Sequence, residues 1–434
     1  MAYWDNGLLR VSDNGKYLQN GEVPFFWMGD TAWLLFHKNT EEAAAIYLKN
    51  RKSKGFNVIQ ATLVHYLEEE KDESKRDNAV EVKWDVTASS YWEHCVTIVR
   101  MAEKLGMYMA LLPTWGSLVK QKILTVDNVE GYAVHLAKYF GDCPNVIWLL
   151  GGDIKGEVNP ELYSKFGTKL KEMMPDKLVG FHPFGRTSSS LWFHEEKWLD
   201  FNMFQSGHRR YDQGVLKQWD DVAVEFYGED NWKYVDRDHS YDTRKPTVDG
   251  EPSYEWIPQG LHDPKEPFWQ AWDVRRYAYW AVFQGAMGHT YGDSAIMQFW
   301  YEAGKPAGYG TPATWKEALH HEGSSHMKHL ADLMNSVDYM EGAPAEKLLL
   351  SGQKEQYARV SVFAGTDYIL AYTYLGEEFT LDLSGYTGKT LHAYWYDPTS
   401  GVYSYLQEVT GMSVLRVKPP VRYAGQSDWV LVIR

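Results

Sequence analysis

From Phe25 to about Trp300 the chain alternates between short apolar runs and longer amphipathic stretches. The runs are "FFWMGDT", "FNVIQATLVH", "MYMALLPTW", "NVIWLLGGD", "KLVGFHP", "FNMFQSGH", "KPTVDGEP" and "MGHTYGD". Several of the intervening stretches carry helix punctuation. "TEEAAAIYLKNRKSKG" opens on Thr40 followed by Glu41 and Glu42 and stops at Gly55. "SSYWEHCVTIVRMAEKLG" stops at Gly106, and "NPELYSKFGTKLKEMMP" has Asn159 as its cap and Pro160 at the first helical position. Strand candidates joined by helices or long connections predict a parallel sheet. Eight of them in about 275 residues predict a closed (β/α)8 barrel of the TIM type. A doubly wound open sheet is the alternative, but no Gly-rich dinucleotide fingerprint follows the first run.

The connections after the sixth and seventh runs are long. "RRYDQGVLKQWDDVAVEFYGEDNWKYVDRDHSYDT" is expected to contain a helix, and "DVRRYAYWAVFQGA" and "GSSHMKHLADLMNSV" are further helices. Near Pro344 the character changes. "YARVSVFAGTDYILAYTYL", "FTLDLS", "LHAYWYDPTSGVYS" and "DWVLVIR" alternate with period two between Gly, Asp and Pro turns, which predicts a small all-β sandwich. The expected organisation is a barrel over residues 1–342 and a sandwich over 343–434, the sandwich packing against the barrel rather than presenting a binding platform.

In such a barrel, chemistry gathers at the C-terminal ends of the strands. Those ends read Asp30, His65, Trp115, Asp153, His182, Gln205 with His208, Glu251, and Tyr291 with Asp293. Asp153 follows "NVIWLLGG", and Asn159 already fills the cap position of the next helix. Alternation places Asp153 on the same inward face as Gly151, whose missing side chain leaves room for a ligand. A semi-apolar setting there would raise the carboxyl's pKa and suit a general acid. In "RKPTVDGEPSYE", alternation puts Thr247, Asp249 and Glu251 on one face and Val248 towards the helices, with Asp249 expected in an ion pair with an arginine. Asp153 and Glu251 are 98 residues apart, about three βα units, so they belong to the fourth and seventh strands, which face each other across the mouth. Two carboxylates aimed across a cleft are what glycosidic cleavage requires.

Composition sharpens this picture. The chain carries 19 Trp and 30 Tyr, suited to a cleft for a ligand with flat apolar faces edged by hydroxyls. A net charge of −14 argues against a nucleic-acid partner, and no apolar run is long enough to span a bilayer. Cys95 and Cys143 are the only cysteines, so neither a disulfide framework nor a cysteine-built metal site is expected. The start lacks a basic segment followed by an apolar one, which fits either an intracellular protein or an exported one whose leader is absent here. Oligomeric state is not encoded in any recognisable pattern.

The stretches "FFWMGDTAW", "GFNVIQ", "NVIWLLGGD", "HPFGRTSSSLWFHEEKWLDFNMFQSGH" and "KPTVDGEPSYE" together resemble the apiosidase-type glycoside hydrolases, glycoside hydrolase family 140. The fourth is the longest and most specific. The residues after Pro344 are similar to that family's C-terminal β-sandwich, named for collagen binding. The resemblance implies a (β/α)8 barrel that hydrolyses a sugar linkage in plant cell-wall pectin, with apiose as the family's known sugar. It also implies Asp153 as acid/base and Glu251 as nucleophile. No cofactor is expected.

Supporting roles follow from side-chain chemistry. His182 and Arg186 can donate to sugar hydroxyls or to a uronate carboxylate. Gln205 and His208 are placed to orient Glu251 or hold a ring hydroxyl. Asp30 is either a substrate clamp or the cap of a short helical turn. Tyr291 and Asp293 are further substrate-binding candidates, and Trp192, His194 and Trp198 are expected in the subsite wall or packed beneath the mouth. Facing fourth- and seventh-strand carboxylates lead to an expectation of retained anomeric configuration. Two competing readings stand beside this one. A metal-dependent barrel hydrolase would draw ligands from His37, His65, His182, His208 and Asp293. A carbohydrate-binding protein on an inactive scaffold would not need Asp153 or Glu251. The histidines of "HHEGSSHMKH" are expected at the surface.

Overall fold

A computed structural model describes residues 2–66, 89–213, 227–302, 308–422 and 427–434. Three short strands, β1 (Leu9–Val11), β2 (Leu18–Asn20) and β3 (Val23–Phe25), form an antiparallel sheet. It seals the N-terminal end of the barrel: Asn20 donates to the Tyr108 hydroxyl at 2.6 Å, and Phe25 packs edge-on against that ring.

The barrel strands are β4 (Trp27–Thr31), β5 (Val58–Val64), β6 (Tyr108–Thr114), β7 (Val146–Gly151), β8 (Val179–His182), β9 (Asn202–Phe204), β10 (Thr247–Asp249) and β11 (Gly288–Tyr291). They lie in the order β8-β7-β6-β5-β4-β11-β10-β9, every pair parallel. All eight runs named from the sequence are strands of this sheet. Closure between β8 and β9 is made by the segment after β8. There the Arg186 amide donates to the Gln205 carbonyl at 2.6 Å and the Ser189 amide to the Met203 carbonyl at 2.9 Å. The result is a nearly closed (β/α)8 barrel.

The helices sit where their punctuation put them. Glu41–Ser53 is capped by Thr40, whose hydroxyl accepts the Ala43 amide at 3.3 Å. Pro160–Met173 is capped by Asn159, whose side chain accepts the Leu162 amide at 3.2 Å. The long connection after β9 contains the helix Trp232–His239, while its residues 214–226 lie outside the described ones.

One feature of the barrel pattern was not legible in the sequence. Parallel strands are apolar on both faces, so period two carries no sign of which face looks inward. The Thr247 hydroxyl donates to Asp238 of the helix Trp232–His239 at 2.6 Å. Asp249 accepts from Asn231 at that helix's start at 3.0 Å. Both therefore face the helices, the reverse of the expected assignment. Asp249 pairs with Asn231 and with the Ser206 hydroxyl (2.6 Å) instead of an arginine, and burial pushes its carboxyl up to about 7.

Beyond the barrel lie β12 (Ala343–Pro344), β13 (Leu349–Ser351), β14 (Val360–Ala364), β15 (Ile369–Thr373), β16 (Phe379–Asp382), β17 (His392–Tyr396), β18 (Tyr403–Glu408), β19 (Val414–Val417) and β20 (Trp429–Ile433). They form a six-stranded sheet, β12-β14-β15-β20-β17-β18, and a three-stranded one, β13-β16-β19. Alternation divides their apolar residues. Val362, Ala371, Leu431 and Ile433 fill the space between the sheets, whereas Phe363, Leu370, Tyr372, Val430 and Val432 join the barrel's core. The helix Ala271–Phe283 is caught between barrel and sandwich and is buried along almost its whole surface. Its Arg275 makes a bidentate pair with Asp428 of the sandwich, both bonds at 2.8 Å, and its Tyr279 stacks on Tyr372 at 4.6 Å.

Candidate active site

The apolar run of β7 ends in a backbone that side chains rarely adopt. Gly151 and Gly152 both have φ of +94°, and Asp153 follows at +48°. A β-carbon on Gly151 would lie 2.3 Å from the His182 carbonyl oxygen, and one on Gly152 2.8 Å from the Trp115 ring. Only glycine fits either position. The two glycines thus turn the chain out of the sheet and deliver Asp153 to the barrel mouth, a different service from the ligand space expected of Gly151. Across the mouth, Glu251 lies just beyond β10. Gly250 precedes it, where a β-carbon would meet the Met203 side chain, its sulfur at 2.3 Å.

A carboxylate oxygen of Asp153, one of Glu251 and a ring nitrogen of His182 all lie within 4.8 Å of one another. His208 Nδ1 accepts the Tyr254 amide at 3.4 Å, so its proton resides on Nε2 and is donated to Glu251 Oε1 at 3.1 Å. His182 Nε2 stands 3.3 Å from the other oxygen, Oε2. Burial alone would raise the Glu251 pKa, but the two imidazoles on its oxygens outweigh burial and hold it well below the usual carboxylate range. Asp153 has the opposite fate. Burial first, and then the charge of Glu251, push it up to about 7, and its Oδ1 is sealed from solvent without a protein hydrogen bond. Two carboxyl groups side by side are therefore tuned apart, one kept as an acid near neutrality and the other as an anion.

The pair sits where two hollows meet. One, of about 290 Å³, is lined by Trp33, Lys38, His65, Trp115, Tyr254 and Trp300 together with Glu251. The other, of about 410 Å³, is lined by Ser117, Lys120, Phe184, Arg186, Arg209 and His262. Asp153, Gln205, His208, Trp115 and Tyr309 border both. Apart from Asp153, the charged residues lining the second hollow are cationic, against a chain of net charge −14. Burial, and then the neighbouring Arg209, lower Arg186 to about 10.

Of the residues named from the sequence, Asp153, Glu251, His65, Trp115, Arg186, Gln205 and His208 meet at this cleft. His182 lies just beneath it, fully buried, with its ring against Trp33 and Trp115 at 5.0 and 5.8 Å. Asp30, Tyr291 and Asp293 do not reach the cleft, which corrects the strand-end reading. Asp30 and Tyr291 are paired across β4 and β11 on the helix-facing side. Asp30 is ion-paired with Arg51 at 2.7 Å and bonded to Tyr47, so it is neither a clamp nor a cap. Tyr291 donates to Glu255 at 2.5 Å. Asp293 caps the helix Ser294–Met297 and contacts His321 at 2.6 Å. Trp192, His194 and Trp198 line a separate groove with Thr168 and Tyr241. His321 and His326 are not surface residues: the latter contacts Arg275 at 2.8 Å in the seam with the sandwich.

Sequence reading missed Trp33, Lys38, Tyr254, Trp300, Tyr309, Lys120, Arg209 and His262. The available signal was an aromatic within a few residues of a strand-end acid, as in "GDTAW" and "GEPSY".

The ligand set of a metal hydrolase read from the sequence is not assembled in one place. His37 is buried and driven down to about 3, and its Nε2 accepts the His65 amide at 3.0 Å. Asp293 is engaged with His321. Among the described residues, the group that could surround a cation is Asp153, His182 and Glu251. His182 Nε2 is the ring nitrogen directed at Glu251.

Comparison with known proteins agrees with this architecture. Residues 12–341 match the apiosidase-like catalytic domain, and residues 343–434 match the "Putative collagen-binding domain of a collagenase". No curated protein matches the chain. A solved structure described as a glycoside hydrolase is 37% identical, covers 100% of this chain and 98% of its own, and superposes with a TM-score of 0.90. A glycoside hydrolase family 5 protein from Bacteroides vulgatus ATCC 8482 is 35% identical over 100% of this chain and 95% of its own, also at 0.90. A family 5 mannosidase from Rhizomucor miehei, 9% identical, shares the fold alone, at 0.53 over 77% of this chain and 100% of its own. A family model that spans most of the chain, and solved relatives that are glycoside hydrolases from end to end, leave one conclusion: the chain belongs to the apiosidase-like family and is a glycoside hydrolase of the (β/α)8 type.

Proposed function

We propose that the protein hydrolyses an O-glycosidic linkage in plant cell-wall pectin side chains, of the apiosidase kind, by a two-carboxylate mechanism that retains anomeric configuration. The observation that carries this reading is the pair Asp153 and Glu251, with oxygens within 4.8 Å and proton affinities driven in opposite directions. Asp153, protonated near neutral pH, gives its proton to the linking oxygen as that bond breaks. Glu251, anionic and oriented by His182 and His208, attacks the anomeric carbon and forms a glycosyl ester. Asp153, now a base, takes a proton from the water that cleaves the ester. The short separation supports retention, for which the two carboxyls stand about 5–5.5 Å apart, against roughly 6.5–9.5 Å for inversion.

The aromatic hollow with Trp33, Trp115 and Trp300 suits the sugar that is transferred. The basic hollow with Lys120, Arg186 and Arg209 suits an acidic leaving group, a uronate of the pectin backbone. Arginines crowded together and partly stripped of water gain most from an anion. Aryl glycosides and pectic oligosaccharides, screened with wild type and Glu251→Gln, test this reading. Release of a single sugar by wild type alone, with the first-formed anomer retained in NMR, is the expected result. Turnover that survives Glu251→Gln, or that chelation abolishes and zinc restores, would replace it with the metal-dependent reading built on Asp153, His182 and Glu251.

A further inference from the structure

The segment that follows β9 carries His208, which holds Glu251, and Arg209, which lines the basic hollow. Its Tyr211 end meets the C-terminal sandwich as well as the barrel. At the His208 end the anchors belong to the barrel: the His208 carbonyl accepts the Gly260 amide at 2.7 Å and Trp269 Nε1 at 3.1 Å. Arg210 donates to Gln259 at 2.9 Å and Glu266 at 2.8 Å, both in the loop after β10. At the Tyr211 end the Tyr211 hydroxyl donates to Asp230 at 2.5 Å and Gln213 Nε2 to the Gln259 carbonyl at 2.8 Å, and the sandwich enters through Glu229, a buried carboxylate shared by three donors from three places. Its Oε1 accepts the Tyr211 amide at 3.1 Å and the hydroxyl of Tyr357, a sandwich residue, at 2.5 Å. Its Oε2 accepts from Arg276 of the helix Ala271–Phe283. Tyr357 also packs edge-on against Tyr211, ring centres 5.3 Å apart, and lies 4.7 Å from the Arg276 guanidinium.

We propose that Tyr357 is a positioning residue. Through Glu229 it sets the Tyr211 end of this segment and thereby the reach of Arg209 into the basic hollow. The C-terminal sandwich thus completes the leaving-group side of the cleft. The last step rests on the reading of that hollow as a uronate subsite; the positioning itself does not. Because the barrel anchors His208 independently, the influence of Tyr357 falls on leaving-group recognition more than on Glu251.

The test uses the full chain with two variants. Tyr357→Phe removes the hydroxyl on Glu229. Tyr396→Phe removes a different sandwich-to-barrel bond, to the His329 carbonyl at 2.7 Å, which lies outside the Glu229, Arg276 and Tyr211 contacts. Hydrogen–deuterium exchange of the peptide spanning 209–213 is measured without ligand. The dissociation constant for D-galacturonate is measured by calorimetry. Exchange at least tenfold faster and galacturonate binding about tenfold weaker in Tyr357→Phe, with both within twofold of wild type in Tyr396→Phe, are expected. A general loosening of the interface would move both variants alike and overturn the proposal, as would unchanged exchange in Tyr357→Phe. If exchange rises as expected but wild type does not bind galacturonate, the positioning stands and the uronate reading is what falls.

Discussion

Replacing Glu251 by Gln should lower the proton affinity of Asp153 by a calculable amount. The substitution keeps the shape of the side chain and removes its charge. Two unit charges 4.8 Å apart, at an effective dielectric of about 20, repel by about 3.5 kcal/mol. That is about 2.5 powers of ten in proton affinity. Asp153, pushed up to about 7 beside ionised Glu251, should then titrate at about pH 4.5 beside Gln. Burial is the larger cause of its elevation and remains, so it should stay above the ordinary aspartate value of 3.8. The assay is a carbon-13 carboxyl titration of protein labelled at aspartate, with Asp153 identified by subtracting Asp153→Asn. In wild type the same titration should govern activity, with kcat/KM falling as pH rises through about 7 and the proton needed for departure is lost. A titration of Asp153 that does not move on Glu251→Gln would refute the reasoning, because it would mean that the two groups do not sense each other.

Asp153→Asn should stabilise the protein in a pH-dependent way. A folded-state pKa raised from 3.8 to about 7 contributes stability that is complete below 3.8 and lost as pH climbs through 7, up to about 4 kcal/mol. The variant's melting advantage should therefore grow between pH 4 and 7, and an advantage equal at both would contradict the assigned burial. Gly152→Ala forces a β-carbon into the Trp115 ring at a φ of +94°, which should cost about 1–3 kcal/mol in urea melts and about a hundredfold in kcat. Asp30→Asn should cost about 3–5 kcal/mol by leaving Arg51 buried without its counter-charge, yet kcat of the folded fraction should hold; a loss of kcat at full stability would return Asp30 to the cleft. Arg186→Gln should raise KM about tenfold for substrates with a uronate leaving group and spare neutral aryl glycosides, measured by steady-state kinetics.

The barrel, its eight strands and the sandwich were written in local pattern: apolar runs, capped helices, and period-two segments after Pro344. Asp153 and Glu251 could be singled out because each follows a run and a glycine, and the count of βα units between them placed them on opposite walls. Which way a strand residue points was not legible, since both faces of a parallel strand are buried. Asp30, Tyr291 and Asp249 accordingly turned out to serve the helix layer. Nor could alternation foresee that three consecutive left-handed residues would carry Asp153 out of the sheet. The two imidazoles on Glu251 come from β8 and from the loop after β9, and the three cations of the basic hollow from the connections after β6, β8 and β9. Their meeting depends on how the barrel closes, and the opposed proton affinities of the two carboxyls follow from that meeting. The sequence by itself determined the elements and the residue types at the mouth. The tertiary structure alone decided which of those residues share a cleft, because burial and the approach of charges from distant segments are properties of the closed barrel and of no single stretch of chain.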